Sequence, residues 1–273
     1  MLKSNTSLIN SKNNLKYITF KNLELTGLVR HAFTTRIGGV SEGFYSSMNM
    51  GFGRGEEQEK VKKNYEIICD AIGIKTEDLV FSKQTHTSNV LCVTAKDKGT
   101  GFTKPSFSDI DGLITNEPNV ALVTQYADCT PLLFLDPQKK VIAASHSGWR
   151  GTVQQIGAVT VKKMQSEFGC NPEDILAVIG PSVCENCYEV DTPVYNEFKK
   201  LPLDLSDVFI QKDQDHYMFN LKLVNKKILM SAGLKEENIE LCDICTACNP
   251  DELYSHRKQG VNRGNLAAII ELK

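Results

Sequence analysis

The chain reads as a single α/β domain. Two features predict that class: short apolar stretches such as "VALVTQYA", "PLLFLD" and "KVIAASHSG" have the look of buried strands, and between them lie segments whose apolar residues recur at helical spacing. A third sets the domain count. No internal repeat, low-complexity segment or linker divides the 273 residues, a length sufficient for one large core or two modest ones.

In order along the chain, residues 1–14 are polar and rich in Asn and Ser, and are expected to form a flexible arm ahead of the domain at 15–273. After "YITF", the Gly-, Ser- and Thr-rich run "RHAFTTRIGGVSEGFYSSMNMGFGRGEE" predicts a short strand over Arg30–Thr34 and then a long ordered loop. From Glu56 to Ala71 a helix is expected, with its buried stripe at Val61, Tyr65, Ile68, Cys69 and Ile72 and its end at Gly73. Strands follow at "LVFSKQTH", "NVLCVTA" and "VALVTQYA". "PLLFLD" and "KVIAASHSG" flank the turn "DPQKK" as a hairpin would. A second helix is expected from about Gly151 to Gly169, burying Val153, Ile156, Val159, Met164 and Phe168. Asn171 before Pro172 caps a short turn ahead of the strand "ILAVIGP". Two helices, "DTPVYNEFKKL" and "NLKLVNKKILMSAG", and a final strand pair, "IELCDIC" with "LAAIIEL", complete the pattern.

Composition excludes several classes of function. A formal net charge of −2, with no basic run interleaved with aromatics, argues against nucleic acid as a partner. No run approaches the roughly 20 apolar residues of a membrane helix, and the first residues lack a signal peptide's apolar core, so a cytoplasmic location is expected. Nine cysteines, an odd number without an export signal, point to free thiols or metal ligands rather than to disulfides.

The chemistry concentrates around "ADCTPLLFLDPQKKVIAASHSGWRGT". His146 ends one predicted strand, Cys129 ends another and His86 a third. Zinc accepts such a set, and three protein ligands leave its fourth position open. The bland alternative makes His146 a core histidine and Arg150 a surface ion pair. Copper is the other metal, because two His and a Cys resemble a blue-copper set. Five histidines and no His-x-His pair are too few for multicopper laccase chemistry. Cys129 with His146 or His86 as base would be a Cys–His hydrolase. Arg150, at a strand end before a helix, offers a guanidinium to a phosphate.

Other signals are weaker. "CENC" (Cys184, Cys187) and "CDICTAC" (Cys242, Cys245, Cys248) could form a structural zinc or iron–sulfur site, but the strand-like alternation around them favours plain thiols. In "SDIDGLIT", Asp109 and Asp111 are acid/base groups or an Asx turn into Gly112. The cluster His256, Arg257, Lys258 and Arg263 reads as a solvated loop by default.

Taken together, "HAFTTRIGGVSEGFYSSMNMG", "KQTHTSNV", "DIDGLIT", "ADCTPLLF", "HSGWRGT", "IGPSVCENCYEV" and "CTACNPDELYSHRKQGVNRG" occur in the order shown by the YfiH-type family, also labelled polyphenol oxidase or laccase domain. The resemblance runs from about His31 to Leu272. It implies a single α/β domain with a mixed central β-sheet flanked by helices, and metal ligands at His86, Cys129 and His146. It further implies zinc, with copper under the older label, and phosphorolysis of adenosine, inosine and methylthioadenosine with adenosine deamination as a side activity. Purine nucleosides and phosphate are then the partners, and the oligomeric state stays open. Ser147 in "HSGWRGT" and the "GVNRGN" run depart from the family's usual pattern. On this reading Arg150 and Arg36 contact phosphate or ribose, Asp128 shuttles protons with Asp111 in reserve, and Asn49, Gln84 and Asp111 lie at the substrate. A non-catalytic metal-binding protein is the remaining alternative.

Overall fold

The computed structural model describes residues 2–273. Seven strands form one sheet, in the spatial order β1 (Ser7–Lys12), β2 (Leu15–Phe20), β3 (Val29–Thr34), β16 (Leu266–Leu272), β8 (Ala121–Tyr126), β4 (Leu79–Lys83) and β6 (Phe107–Ser108). Six form a second, in the order β15 (Ile239–Leu241), β11 (Leu176–Ile179), β9 (Thr130–Asp136), β10 (Val141–Ser147), β7 (Gly112–Thr115) and β5 (Val90–Cys92). A small third sheet holds β12 (Glu189–Asp191), β14 (His216–Phe219) and β13 (Phe209–Gln211). Both large sheets are mixed: β16 runs antiparallel to β8 while β4 runs parallel to it, and β9 runs antiparallel to β11 while β15 runs parallel. The helices are α1 (Lys21–Glu24), α2 (Gln58–Ile72), α3 (Trp149–Val153), α4 (Ile156–Phe168), α5 (Thr192–Phe198), α6 (Leu221–Ser231) and α7 (His256–Gln259).

Strand alternation builds the layers. In β16, Leu266, Ala268, Ile270 and Leu272 enter a core shared with the second sheet, while Ala267 and Ile269 turn to Val61, Tyr65 and Ile68 of α2. In β10, Ile142 and Ala144 face the shared core, and Val141 and Ala143 pack on Ile156, Val161 and Met164 of α4. The order is therefore helix, sheet, sheet, helix. His146 falls on the same alternation as Ile142 and Ala144, at the far end of β10, and so belongs to the space between the sheets.

Several expectations change. The α/β fold with mixed sheet flanked by helices is the one expected, but its strands divide into two large mixed sheets and a small one rather than a single central sheet. Residues 7–12, expected in a flexible arm, pair along their whole length with β2 across a turn at Asn13, whose φ of 55° suits an Asn in a tight hairpin. Leu2 is also buried in the shared core. The last two strands are not partners, because β15 joins β11 and β16 joins β3 and β8. The second helix breaks at Gln155, which takes a left-handed conformation (φ 56°), and the resulting turn leaves Val159 exposed. The first helix ends as expected, with Gly73 at φ 74° donating back to the Cys69 carbonyl. Among the described residues no helix is long and apolar enough to cross a membrane.

Candidate metal centre and its clefts

Three connections pass from the first large sheet to the second: β4 to β5, β6 to β7 and β8 to β9. They carry His86, Asp111 and Cys129 respectively, and β10 delivers His146 to the same place. The ligating atoms of His86, Cys129 and His146 all lie within 4.8 Å of one another. Cys129 Sγ is 3.8 Å from His86 Nε2, and the two imidazoles stand 4.9 Å apart, nearly perpendicular at 76°. His86 and Cys129 sit in the crossings, beyond the strand ends expected for them. His86 is left-handed (φ 66°), as is Asp128 (φ 82°), a conformation that non-glycine residues hold only where their surroundings fix it.

Asp111 fixes it. Its carboxylate is fully buried and accepts the backbone N–H groups of Thr85, His86 and Thr87 at 3.0, 3.0 and 2.8 Å, together with the Thr87 hydroxyl at 3.0 Å. Oδ1 is also 2.8 Å from His146 Nδ1. One carboxylate thus shapes the His86 loop and holds the His146 ring so that Nε2 is free to ligate, the arrangement by which carboxylates orient metal-binding histidines. This corrects the substrate-contact and reserve-base roles expected for Asp111, since no ligand can reach it. Asp109, its neighbour, is exposed and accepts a bond from the Thr85 hydroxyl at 2.9 Å.

The electrostatics tie Cys129, His146 and Asp111 into one set. Burial would raise the Cys129 thiol, but the adjoining His146 and His86 outweigh it and bring it down to about 6. Burial would lower His146, yet Cys129 and Asp111 raise it to about 9. For Asp111 the bonds from His146 and the Thr87 and Thr85 amides prevail over burial and hold it at about 2. Gly148 leaves the room: a Cβ there would lie 2.7 Å from His86 Cδ2 and 3.0 Å from Cys129 Sγ. Two imidazoles and a thiolate converging in this way, with a carboxylate behind one ring, fit a divalent metal of the zinc or copper type.

Two clefts meet at the cluster, both lined by His86, Ala127 and Cys129. The larger, about 570 Å³, is bordered by Trp149, Arg150, Tyr188 and Arg257, with the Arg150 guanidinium 4.3 Å over the Trp149 ring and that of Arg257 5.0 Å over Tyr188. The smaller, about 340 Å³, brings together Arg54, Lys83 and Arg263 from three distant segments. Arg263 is largely buried, its Nε makes no hydrogen bond within the chain, and burial together with the Arg54 charge lowers it to about 10. Such a cationic recess favours an anion.

Not every expected residue reaches the clefts. Arg36 points away, donating to the carbonyls of Ser46 (2.9 Å) and Pro250 (2.7 Å) and stacking over Tyr254 at 4.7 Å. Asn49 is fully buried, where it holds Gly51 and Glu56 of the long loop and ties them to Asn265 ahead of β16. Gln84 lines the smaller cleft, but its amide is occupied by the backbone of Gln125 at 2.9 and 2.7 Å. Asp128 borders the larger cleft with both oxygens engaged, accepting from the Thr246 hydroxyl at 2.6 Å and the Arg257 amide at 2.5 Å, so it ties loops together rather than standing free as a proton shuttle. The sequence does not single out Arg54 and Lys83, and it makes Arg263 part of a solvated loop. The arginine flanked by glycines in "GFGRGEE" and the one in "VNRGN" are the signals it offers.

Fold and site together define a two-sheet α/β protein with a His–Cys–His centre shared by two clefts. The chain belongs to the family described as multi-copper polyphenol oxidoreductase laccase, which matches residues 30–273. It is 39% identical over 243 residues to a Bacillus subtilis protein named purine nucleoside phosphorylase YlmD, covering 88% of this chain and 87% of that one. Among solved structures it resembles Bacillus licheniformis hypothetical protein YfiH, at a TM-score of 0.92 and 32% identity over 97% of this chain and 99% of that one. YlmD from Geobacillus stearothermophilus follows with a TM-score of 0.90 and 27% identity, over 98% and 99%. The "multi-copper" label has no counterpart in the donor sets. Among the described residues, the groups able to hold a metal are the His–Cys–His set and a cluster of four cysteines, and neither has the histidines of a trinuclear copper site.

Proposed function

We propose that the protein is a zinc-dependent purine nucleoside phosphorylase, acting on adenosine, inosine and methylthioadenosine, with adenosine deamination as a side activity. The observation that carries this reading is the meeting of an aromatic cleft and a cationic cleft at one His–Cys–His centre; the relatives named purine nucleoside phosphorylase support it. Trp149 and Tyr188 offer flat apolar surface to a purine. Arg54, Lys83 and Arg263 offer charge to phosphate, and Arg150 reaches the larger cleft at its edge. An oxygen of hydrogen phosphate then bonds to the anomeric carbon while the glycosidic bond breaks and its electron pair leaves with the base, which takes up the proton that the phosphate gives up. His86, Cys129 and His146 would hold the zinc ion, which when bound would supply Lewis-acid stabilisation of negative charge. Asp111 acts as a positioning residue for two of these ligands, and Asp128 for the wall of the larger cleft.

The test is product chromatography with adenosine, with and without phosphate, on protein whose metal content is measured in the same sample. Adenine and ribose 1-phosphate should appear only with phosphate and be lost in His86→Ala. Arg263→Ala should raise KM for phosphate by roughly 10-fold or more, the scale of a charge-assisted hydrogen bond, with little change in KM for nucleoside. Arg150→Ala with phosphorolysis intact would remove Arg150 from the reaction. No base release from adenosine or inosine under either condition overturns the proposal. Oxygen uptake with a phenol would then favour the copper oxidase label. Activity that survives metal removal and is lost to a thiol alkylator would favour a Cys–His enzyme.

A further inference from the structure

Cys184, Cys187, Cys245 and Cys248 come from two segments about sixty residues apart, yet their sulfurs all lie within 4.8 Å of one another. Each pair is a Cys-x-x-Cys turn: Cys184–Cys187 closes through a 3.0 Å bond from the Cys187 amide to the Cys184 carbonyl, and Cys245–Cys248 follows β15 after the strand has ended at Leu241. That early end is why the alternation read from "LCDIC" does not apply, and why Cys245 and Cys248 turn to the same side.

We propose that these four cysteines form a structural zinc site of the tetrathiolate type, separate from the His–Cys–His centre. The geometry fits the ion. Zinc–sulfur bonds of ~2.3 Å in a tetrahedron place sulfurs about 3.8 Å apart; Cys187 and Cys248 are 3.4 Å apart, and Cys184 and Cys248 are 3.9 Å apart. All four thiols are free of disulfides. Cys245 Sγ accepts the Cys184 amide at 3.2 Å, the kind of N–H to sulfur bond that steadies a thiolate ligand. The donor set is all sulfur and has no histidine or carboxylate, which selects zinc over magnesium or calcium. Four ligands also leave no open position, as a structural site requires.

The site lies where a clamp would act on the larger cleft. The residue before Cys184, Val183, donates to the Asp128 carbonyl at 3.2 Å, and the residue after Cys245, Thr246, donates to the Asp128 carboxylate at 2.6 Å. Tyr188 follows Cys187 directly and carries Arg257 on its ring. Joining the two turns through one ion holds this wall together with few apolar contacts, since the buried apolar residues of this cluster are Val183, Cys245 and Ala247.

The experiment separates this ion from the first. The full chain carrying His86→Ala, Cys129→Ala and His146→Ala, purified without chelator, should retain a single equivalent of zinc, and X-ray absorption at the zinc edge should give a four-sulfur shell at ~2.3 Å. In the otherwise unchanged chain, Cys184→Ser with Cys248→Ser should remove one equivalent and leave the nitrogen-containing shell. The second variant keeps the proposal falsifiable if the first does not fold. The proposal is overturned by a first variant that folds without zinc, by iron in place of zinc, by zinc content unaffected by the serine substitutions, or by a disulfide within the cluster on mass spectrometry. Should the His–Cys–His centre hold no metal, the single equivalent with its four-sulfur shell in the first variant and the loss of one equivalent in the serine variant would still be expected.

Discussion

Gly148 and Asp111 decide whether the His–Cys–His set can form. A methyl group at Gly148 would enter the space of the His86 ring and the Cys129 sulfur. Gly148→Ala should therefore lower metal affinity and activity by roughly 10-fold or more while leaving the unfolding midpoint close to wild type, as metal titration and urea unfolding would show. Asp111→Asn keeps the size of the side chain but removes the charge facing His146. Loss of such a carboxylate partner typically costs 10–100-fold in metal affinity, so a titration showing wild-type affinity would refute its positioning role. At this scale His86, Cys129 and His146 were legible as candidates, each closing an apolar run, while their reading as one metal-binding set came with the family resemblance. The burial of Asp111 was not, since a loop carboxylate reads the same in sequence whether it faces water or three backbone amides.

The pairing of β3 with β16 sets Arg30 against Glu271 and His31 against Ile270, and places two titrating groups with opposite effects on neighbouring strands. His31 is lowered from 6.5 to about 4 by burial and by the Lys273 charge, while its Nε2 accepts the Phe20 amide at 2.8 Å. The unfolded chain therefore takes up this proton first, and stability falls as pH drops from 6.5 towards 4. Glu271 is raised from 4.5 to about 7 by burial and by Asp78, against the pull of Arg30 at 3.0 Å. Its contribution is full below 4.5 and fades as pH rises to 7. Between 4.5 and 6.5 the two nearly cancel. Removing the second should expose the first: Glu271→Gln should lose stability on acidification more steeply than wild type, by about 1.4 kcal/mol per pH unit in that window. Urea unfolding curves that stay parallel to wild type across the window would contradict the pair of shifts. The strands themselves were legible as apolar runs, but their register, and hence this opposition, was not.

Across the whole molecule the site depends on two sheets staying in contact at one end. Tyr126, from the first sheet, is buried, lies 5.4 Å from the His146 ring and bonds through its hydroxyl to Thr124 at 2.7 Å and to the Ser145 carbonyl of the second sheet at 3.1 Å. Tyr126→Phe should cost about 1–3 kcal/mol, because it leaves buried acceptors unpaired, with no change in the urea m-value. A neutral result would mean that packing alone holds the sheets together there. The smaller cleft belongs to this scale too, since Arg54, Lys83 and Arg263 meet only when the long loop, β4 and the approach to β16 converge.

Local pattern alone determined the α/β class and most helices and strands, because burial periodicity is a property of neighbouring residues; it offered His86, Cys129 and His146 as one reading among several, and the family resemblance joined them into a set. Tertiary structure decided the rest: two large sheets rather than one, three crossings that carry His86, Asp111 and Cys129 to one place, the cationic cleft, and four cysteines joined from two turns. Each of these depends on which strands pair and where the chain changes sheet, a choice made by the balance of long-range burial that no single segment encodes.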